Sequence, residues 1–190
     1  MSGALLLAQV DAVLDGGPYD LAAPTRLPSW DVAALLGHLA GTLERVVQSV
    51  SAPCPGQAGL DAVSWWGPGV GASPPDGPGD LARLRLARDA AAEVLRTVPG
   101  SRVVGPDPRG IVLGEYARTR LLEAVVHGLD LGAEPVPEAL RATALLLEDV
   151  LARADPGRSR PPVDDLAWVE MATGRRPAPR SLSAVLPLLG

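Results

Sequence analysis

Lysine, asparagine and phenylalanine are absent from this sequence of 190 residues, and isoleucine occurs once, at Ile111. Their codons are AT-rich, whereas Ala, Gly, Pro and Arg are abundant, which points to a GC-rich genome such as that of an actinobacterium. Cysteine also occurs once, at Cys54, and one thiol excludes an internal disulfide framework. No basic stripe exists to neutralise phosphates, and the net charge of −5 argues against a nucleic-acid partner. Long apolar runs are missing too. Residues 4–8 are apolar but lack a basic flank, and Asp11 and Asp15 follow closely. That segment reads as neither a signal peptide nor a membrane span. The expectation is a cytoplasmic protein with no membrane partner.

What is present is a globular composition, with 47% hydrophobic residues over a length that suits one domain with a real core. Apolar residues recur on a helical period from Leu5 to Leu14 and stop at Gly16, Gly17 and Pro18. Ser29 is placed to cap a second helix running to about Ser49, with Asp31 in its first turn. Residues 52–79 form a long Pro- and Gly-rich break containing Trp65, Trp66, Pro74 and Pro75. Asp80 caps a third helix to about Val98, and an irregular stretch spans Pro99 to Val112. A fourth helix covers about Glu115 to Leu131 and ends at Gly132, and Pro137 opens a fifth that continues to about Ala154. Asp164 to Ala172 reads as a short helix ending at Gly174, and the apolar tail from Arg180 packs back onto the body. No strand shows clear alternation. The reading is all-α: one domain over 1–190, a four-helix bundle at about 4–154 with a C-terminal helical extension at about 155–190.

The chain has two histidines. His127 follows Glu123 by four residues, so the two share a face of the fourth helix, with Cβ atoms about 5–6 Å apart. His38 lies on the second helix. If these helices are neighbours, His38, Glu123 and His127 converge as a His₂Glu set. Three protein ligands with one position open is the arrangement of a catalytic zinc rather than a structural one. Each residue also has a plainer reading: a histidine packed in an apolar helix, or a Glu–His pair on a solvated face. The apolar neighbours Leu121, Leu122, Val125 and Val126 favour the metal, because a buried carboxylate needs a partner.

Residues 25–41, TRLPSWDVAALLGHLAG, resemble the opening motif of the mycothiol-dependent maleylpyruvate isomerase family, within the DinB-like metal-binding superfamily. In that motif a Pro, a Trp two positions on and an apolar helix lead to a metal-binding His. Residues 122–131, LEAVVHGLDL, resemble its second motif, Glu-x-x-x-His-x-x-Asp, and residues 168–176 are similar to a Thr-Gly-Arg segment of many short members. The resemblance spans about residues 4–176. It implies a DinB-like four-helix bundle holding zinc or another divalent metal on His38, Glu123 and His127, with mycothiol as thiol cosubstrate. The family's namesake has an additional C-terminal domain that contributes a catalytic arginine. This sequence is expected to be a short form without it, so Arg175 does not simply inherit that role, and maleylpyruvate is not implied as the substrate.

A thiol bound to zinc loses its proton, and the thiolate adds to an electrophilic carbon. Addition, rotation and elimination isomerise a double bond, whereas addition or displacement alone gives an S-transferase. The same site serves both. It also serves a zinc-water hydrolase or lyase, and the bundle can persist as a non-catalytic metal- or ligand-binding scaffold. The expected partners are a small electrophilic substrate and a thiol, with monomer and homodimer both open.

Glu123, Asp130 and Arg120 are the candidates for the chemistry. Asp130 is placed to accept the second ring N–H of a ligand histidine, or to lie at the surface as a helix-end carboxylate. Arg120 is placed to hold an acidic substrate or cofactor group, or to be solvated. Tyr116, Thr119 and Arg175 are the candidates for cofactor contact; Tyr116 and Thr119 share the Glu123 face, and Arg175 either reaches the site mouth or sits in a surface turn. Trp65 and Trp66 lid the pocket or cover the core, and Trp30 packs at the start of the second helix. Cys54 has no histidine nearby in sequence to activate it and reads as an incidental loop thiol.

Overall fold

Aspartate starts four of the helices. The carboxylates of Asp31, Asp61, Asp80 and Asp164 each accept the backbone N–H three residues on, from Ala34, Ser64, Arg83 and Ala167, at 2.6–2.8 Å. Each satisfies a donor that a helix start otherwise leaves unpaired. The structure, a computed structural model, describes residues 2–28, 30–54, 56–66, 77–105, 107 and 109–188. Within these, α1 spans Ser2–Asp15, α2 Val32–Ser51, α3 Ala62–Trp65, α4 Leu81–Thr97, α5 Leu113–Asp130, α6 Pro137–Ala154 and α7 Asp165–Ala172.

Two strands of two residues, β1 (Val103–Val104) and β2 (Ile111–Val112), pair antiparallel just before α5. The protein is an all-α bundle with extra C-terminal helices. Its four bundle helices are α1, α2, α4 and α5: α1 packs on α5, α2 on α4, and the ring closes through α2 with α5 and α1 with α4. α6 lies against α5, α1 and α3, and α7 packs on α6.

The periodicity explains which helix faces inward. Leu6, Gln9, Val10, Val13 and Leu14 bury one stripe of α1, and Leu35, Leu36, Leu39, Leu43 and Val46 bury one of α2. α5 is enclosed on most sides, because it faces α1 and α2 and is covered by α6. Its contact with α1 is close: a Cβ at Gly128 would lie 3.1 Å from Gln9 Nε2 and 3.2 Å from Val13 Cγ2. A second close approach joins Gly37 of α2 to the backbone of Gly77 and Gly79, which leads into α4.

Three local expectations need correction. Asp31, not a residue of the first turn, is the α2 N-cap, and the helix runs to Ser51; Ser29 lies outside the described residues. The break at 52–79 contains α3, closed by a capping box between Asp61 and Ser64, while Pro74 and Pro75 lie outside the described residues. The stretch from Pro99 to Val112 holds the β1–β2 pair. Strands of two residues are too short to show alternation, so period 2 gave no signal there.

The tail does return to the body. Leu182 and Leu186 are buried, and the N–H of Leu188 donates to the Ala172 carbonyl at 2.8 Å. No described helix is long and apolar enough to cross a membrane.

Candidate metal centre

His38 reaches the centre from the middle of α2, and Glu123 and His127 from the last two turns of α5. One ligand atom from each of the three lies within 4.8 Å of the other two. Glu123 Oε2 is 3.0 Å from His127 Nε2 and 3.5 Å from His38 Nε2. A tetrahedral ion with bonds near 2.0–2.1 Å requires donors separated by about 3.3 Å. Two imidazole nitrogens and a carboxylate oxygen suit zinc in chemistry, and the two carboxylate–imidazole separations bracket that spacing. The cluster is enclosed, with His38 5% and His127 9% exposed.

The charges are balanced tightly. Burial pushes the Glu123 carboxyl up, but hydrogen bonds from His127 and His38, and the nearby charges of His127 and Arg120, hold it well below the usual carboxylate range. Burial pushes His127 down, and its bonds to Asp130 and Glu123 outweigh this, raising it above the ordinary histidine value. The cluster therefore keeps a carboxylate and favours a proton on His127, which a metal ion bound there would displace.

Behind His127 stands Asp130, whose side chain is fully buried. Its Oδ2 is 3.1 Å from His127 Nδ1. Arg175 donates to the same carboxylate twice, from Nη2 to Oδ2 at 2.6 Å and from Nε to Oδ1 at 3.2 Å. Burial raises the Asp130 carboxyl, and the bonds to His127 and Arg175 more than offset it. With Asp130 engaging Nδ1, Nε2 is the ring nitrogen turned towards Glu123. Arg175 thus lies behind His127, tied to its orienting carboxylate.

The remaining candidates sit one turn along α5. Thr119 is fully enclosed; its hydroxyl donates to the Tyr116 carbonyl at 2.7 Å and accepts Arg120 Nε–H at 3.1 Å. Tyr116 is 1% exposed. The Arg120 guanidinium carbon is 4.9 Å from the centroid of the Tyr116 ring and 5.4 Å from that of Trp65. Cys54 is exposed, and its thiol contacts the Val103 carbonyl at 3.6 Å.

Two aromatic residues have more to do with this region than their sequence positions suggested. Trp30 stacks on His127, with centroids 6.4 Å apart and planes at 16°, and meets His38 edge-on at 5.2 Å. It thereby covers both imidazoles, and only its place in the motif leading to His38 hinted at this. Trp65 of α3 packs on Tyr116 as well as Arg120, a contact made by the return of the long connection and invisible to helical periodicity.

A four-helix ring with a histidine on its second helix and Glu-x-x-x-His on its last defines a DinB-like metal-binding bundle. A family model described as the mycothiol maleylpyruvate isomerase N-terminal domain matches residues 4–132, and the chain belongs to this family. At the level of the family, this associates the chain with mycothiol and with metal-binding bundles. The matched span contains His38, Glu123 and His127 and ends before Arg175. No curated protein and no solved structure matches the chain.

Proposed function

We propose that this protein is a divalent-metal enzyme that uses a low-molecular-weight thiol, mycothiol, to isomerise or S-conjugate a small electrophilic metabolite. The observation that carries the reading is the convergence of the His38, Glu123 and His127 donor atoms within 4.8 Å in an enclosed site. Three protein donors leave a position for a further ligand. His38, Glu123 and His127 would hold a divalent ion, zinc by donor preference, which would lower the pKa of a bound thiol and supply thiolate near neutral pH.

The chain's own residues prepare the site for this. Asp130 fixes the His127 tautomer and ring orientation, and Arg175 keeps Asp130 charged and in place. Glu123 supplies the one negative charge among the three ligands and is held ionised by its neighbours. Trp30 covers the imidazoles and limits the access of bulk water. Cys54 is remote in role: exposed and hydrogen-bonded to a backbone carbonyl, it is not the nucleophile.

The test is turnover by zinc-loaded protein with and without mycothiol, on chlorodinitrobenzene for S-conjugation and maleylpyruvate for isomerisation. The reading expects turnover of an electrophile that depends on the thiol and is abolished in Glu123→Ala. Full turnover without thiol points instead to zinc-water hydrolase or lyase chemistry on the same scaffold. Stoichiometric zinc without turnover or mycothiol binding points to a non-catalytic binding bundle.

A further inference from the structure

Three rings pack against one another at the centre. The indole plane of Trp30 lies 16° from that of His127, with centroids 6.4 Å apart, and meets His38 at 5.2 Å and 73°. The two imidazoles are 5.0 Å apart and nearly perpendicular, at 88°. One indole thus contacts both ligand histidines, although they arrive from different helices, α2 and α5.

A closed turn presents this indole. The Trp30 N–H donates to the Leu27 carbonyl at 3.2 Å, and the Trp30 carbonyl accepts the Thr25 N–H at 3.2 Å and its hydroxyl at 2.8 Å. The Thr25 hydroxyl accepts the Leu27 N–H in turn, at 3.1 Å. These bonds are made by main chain and Thr25, so the turn does not rest on the indole it carries. The Trp30 side chain is half-buried and stands between the imidazoles and solvent.

The consequence concerns water around a bound ion. Asp130 and Arg175 fill the space behind His127, and α2 and α5 enclose the ligands they supply. On the flank where Trp30 lies, water must displace a large apolar ring to approach either imidazole. An indole also has no oxygen or nitrogen acceptor, so a metal-bound water beside it finds no partner for its protons. Metals differ in how much water they demand. Zinc is satisfied by three protein donors and one further ligand, whereas manganese favours six, largely oxygen, and fills its shell with water.

We infer that Trp30 is a metal-selectivity determinant of this centre: by excluding additional water ligands it favours zinc over six-coordinate ions such as manganese. This rests on the metal reading above. Trp30 acts as a positioning residue through His38 and His127 and is itself no ligand.

Metal affinity, measured without turnover, tests this. Zinc and manganese dissociation constants are determined on metal-free wild type, Trp30→Ala and Trp30→Phe, and the preference is their ratio. Trp30→Ala is expected to lose about tenfold or more of the preference for zinc, the scale on which residues behind the ligands act. Trp30→Phe, which keeps an aromatic face, is expected to retain most of it. A purely structural role weakens both metals together, and an unchanged ratio in Trp30→Ala overturns the inference. Cobalt(II) provides a second measurement, because its visible absorption is intense when four-coordinate and weak when six-coordinate. The wild type is expected to give the intense spectrum and Trp30→Ala a weaker one. A weak, six-coordinate spectrum in the wild type overturns the inference, and that result needs no variant to fold. Failure of the wild type to bind zinc or cobalt contradicts the metal reading and this inference with it; metal bound with an unchanged ratio contradicts this inference alone.

Discussion

Arg175 and Asp130, 45 residues apart in sequence, share two hydrogen bonds at 2.6 and 3.2 Å, and the Asp130 oxygen at the shorter distance also contacts His127. The segment after α7 is thereby tied to a candidate metal ligand. Nearby, Glu170 accepts from Arg26, in the loop before α2, at 3.0 Å, and Arg176 also pairs with Glu170. The C-terminal segment thus braces both α5 and the approach to His38.

Arg175→Met leaves the fully buried Asp130 carboxylate short of its main counter-charge. The expected cost is on the order of 3 kcal/mol of stability, read by chemical unfolding. Because Asp130 orients His127, zinc affinity is expected to fall by about 10–100-fold, read by competition with a chelator. Arg175→Lys, which retains charge but not the two-point contact, is expected to fall between.

Trp168→Ala is expected to loosen the same segment from further away. The side chain is 0% exposed, and its indole N–H donates to the Ala144 carbonyl of α6 at 3.1 Å. Removing so large a core side chain costs about 3–5 kcal/mol. As α7 leads directly to Arg175, zinc affinity is expected to weaken together with stability, although Trp168 is not among the candidate ligands. Chelator competition and thermal unfolding on one preparation check both.

Gly37→Ala tests the close approach beside His38. A Cβ there would collide with the Gly77 carbonyl oxygen and come within 3.0 Å of the Gly79 nitrogen, both of them backbone atoms that a rotamer change cannot move. The overpacking is expected to cost about 1–3 kcal/mol and to lower Tm by roughly 2–10 °C. Gly100→Ala is the control: its nearest neighbour is the Gly114 Cα at 4.0 Å, and the expected change is within about 0.5 kcal/mol.

Much of this arrangement was legible in the sequence because it repeats on one helix. Glu123 and His127 share a face at spacing four, and Asp130 follows at three, so α5 alone places them together. That His38 joins them was inferred from an apolar helix and from the family resemblance, since no local rule says which helices are neighbours. Contacts made by irregular backbone were hidden. Trp30 precedes its helix and lies on His127 only because of how the chain enters α2. Arg175 looked more at home in a surface turn than at the site, because its partner is distant in sequence. The β1–β2 pair and α3 were missed since two or four residues carry no readable period.

Cys54→Ala is expected to leave turnover and zinc content unchanged. The thiol is exposed, and its contact is with the Val103 carbonyl rather than with a base. Kinetics with mycothiol present check this; lost activity with normal zinc content would mean that the chain supplies its own nucleophile.

The central claim is that His38, Glu123 and His127 hold one divalent ion. Elemental analysis of protein purified without chelator and supplemented with zinc tests it most directly, in the wild type and in His127→Ala. The account predicts about one zinc per chain in the wild type and loss of most of it in the variant, as a three-donor site reduced to two donors binds poorly. Wild-type protein that remains far below one metal per chain after supplementation, or a His127→Ala variant that keeps its full complement, would contradict it.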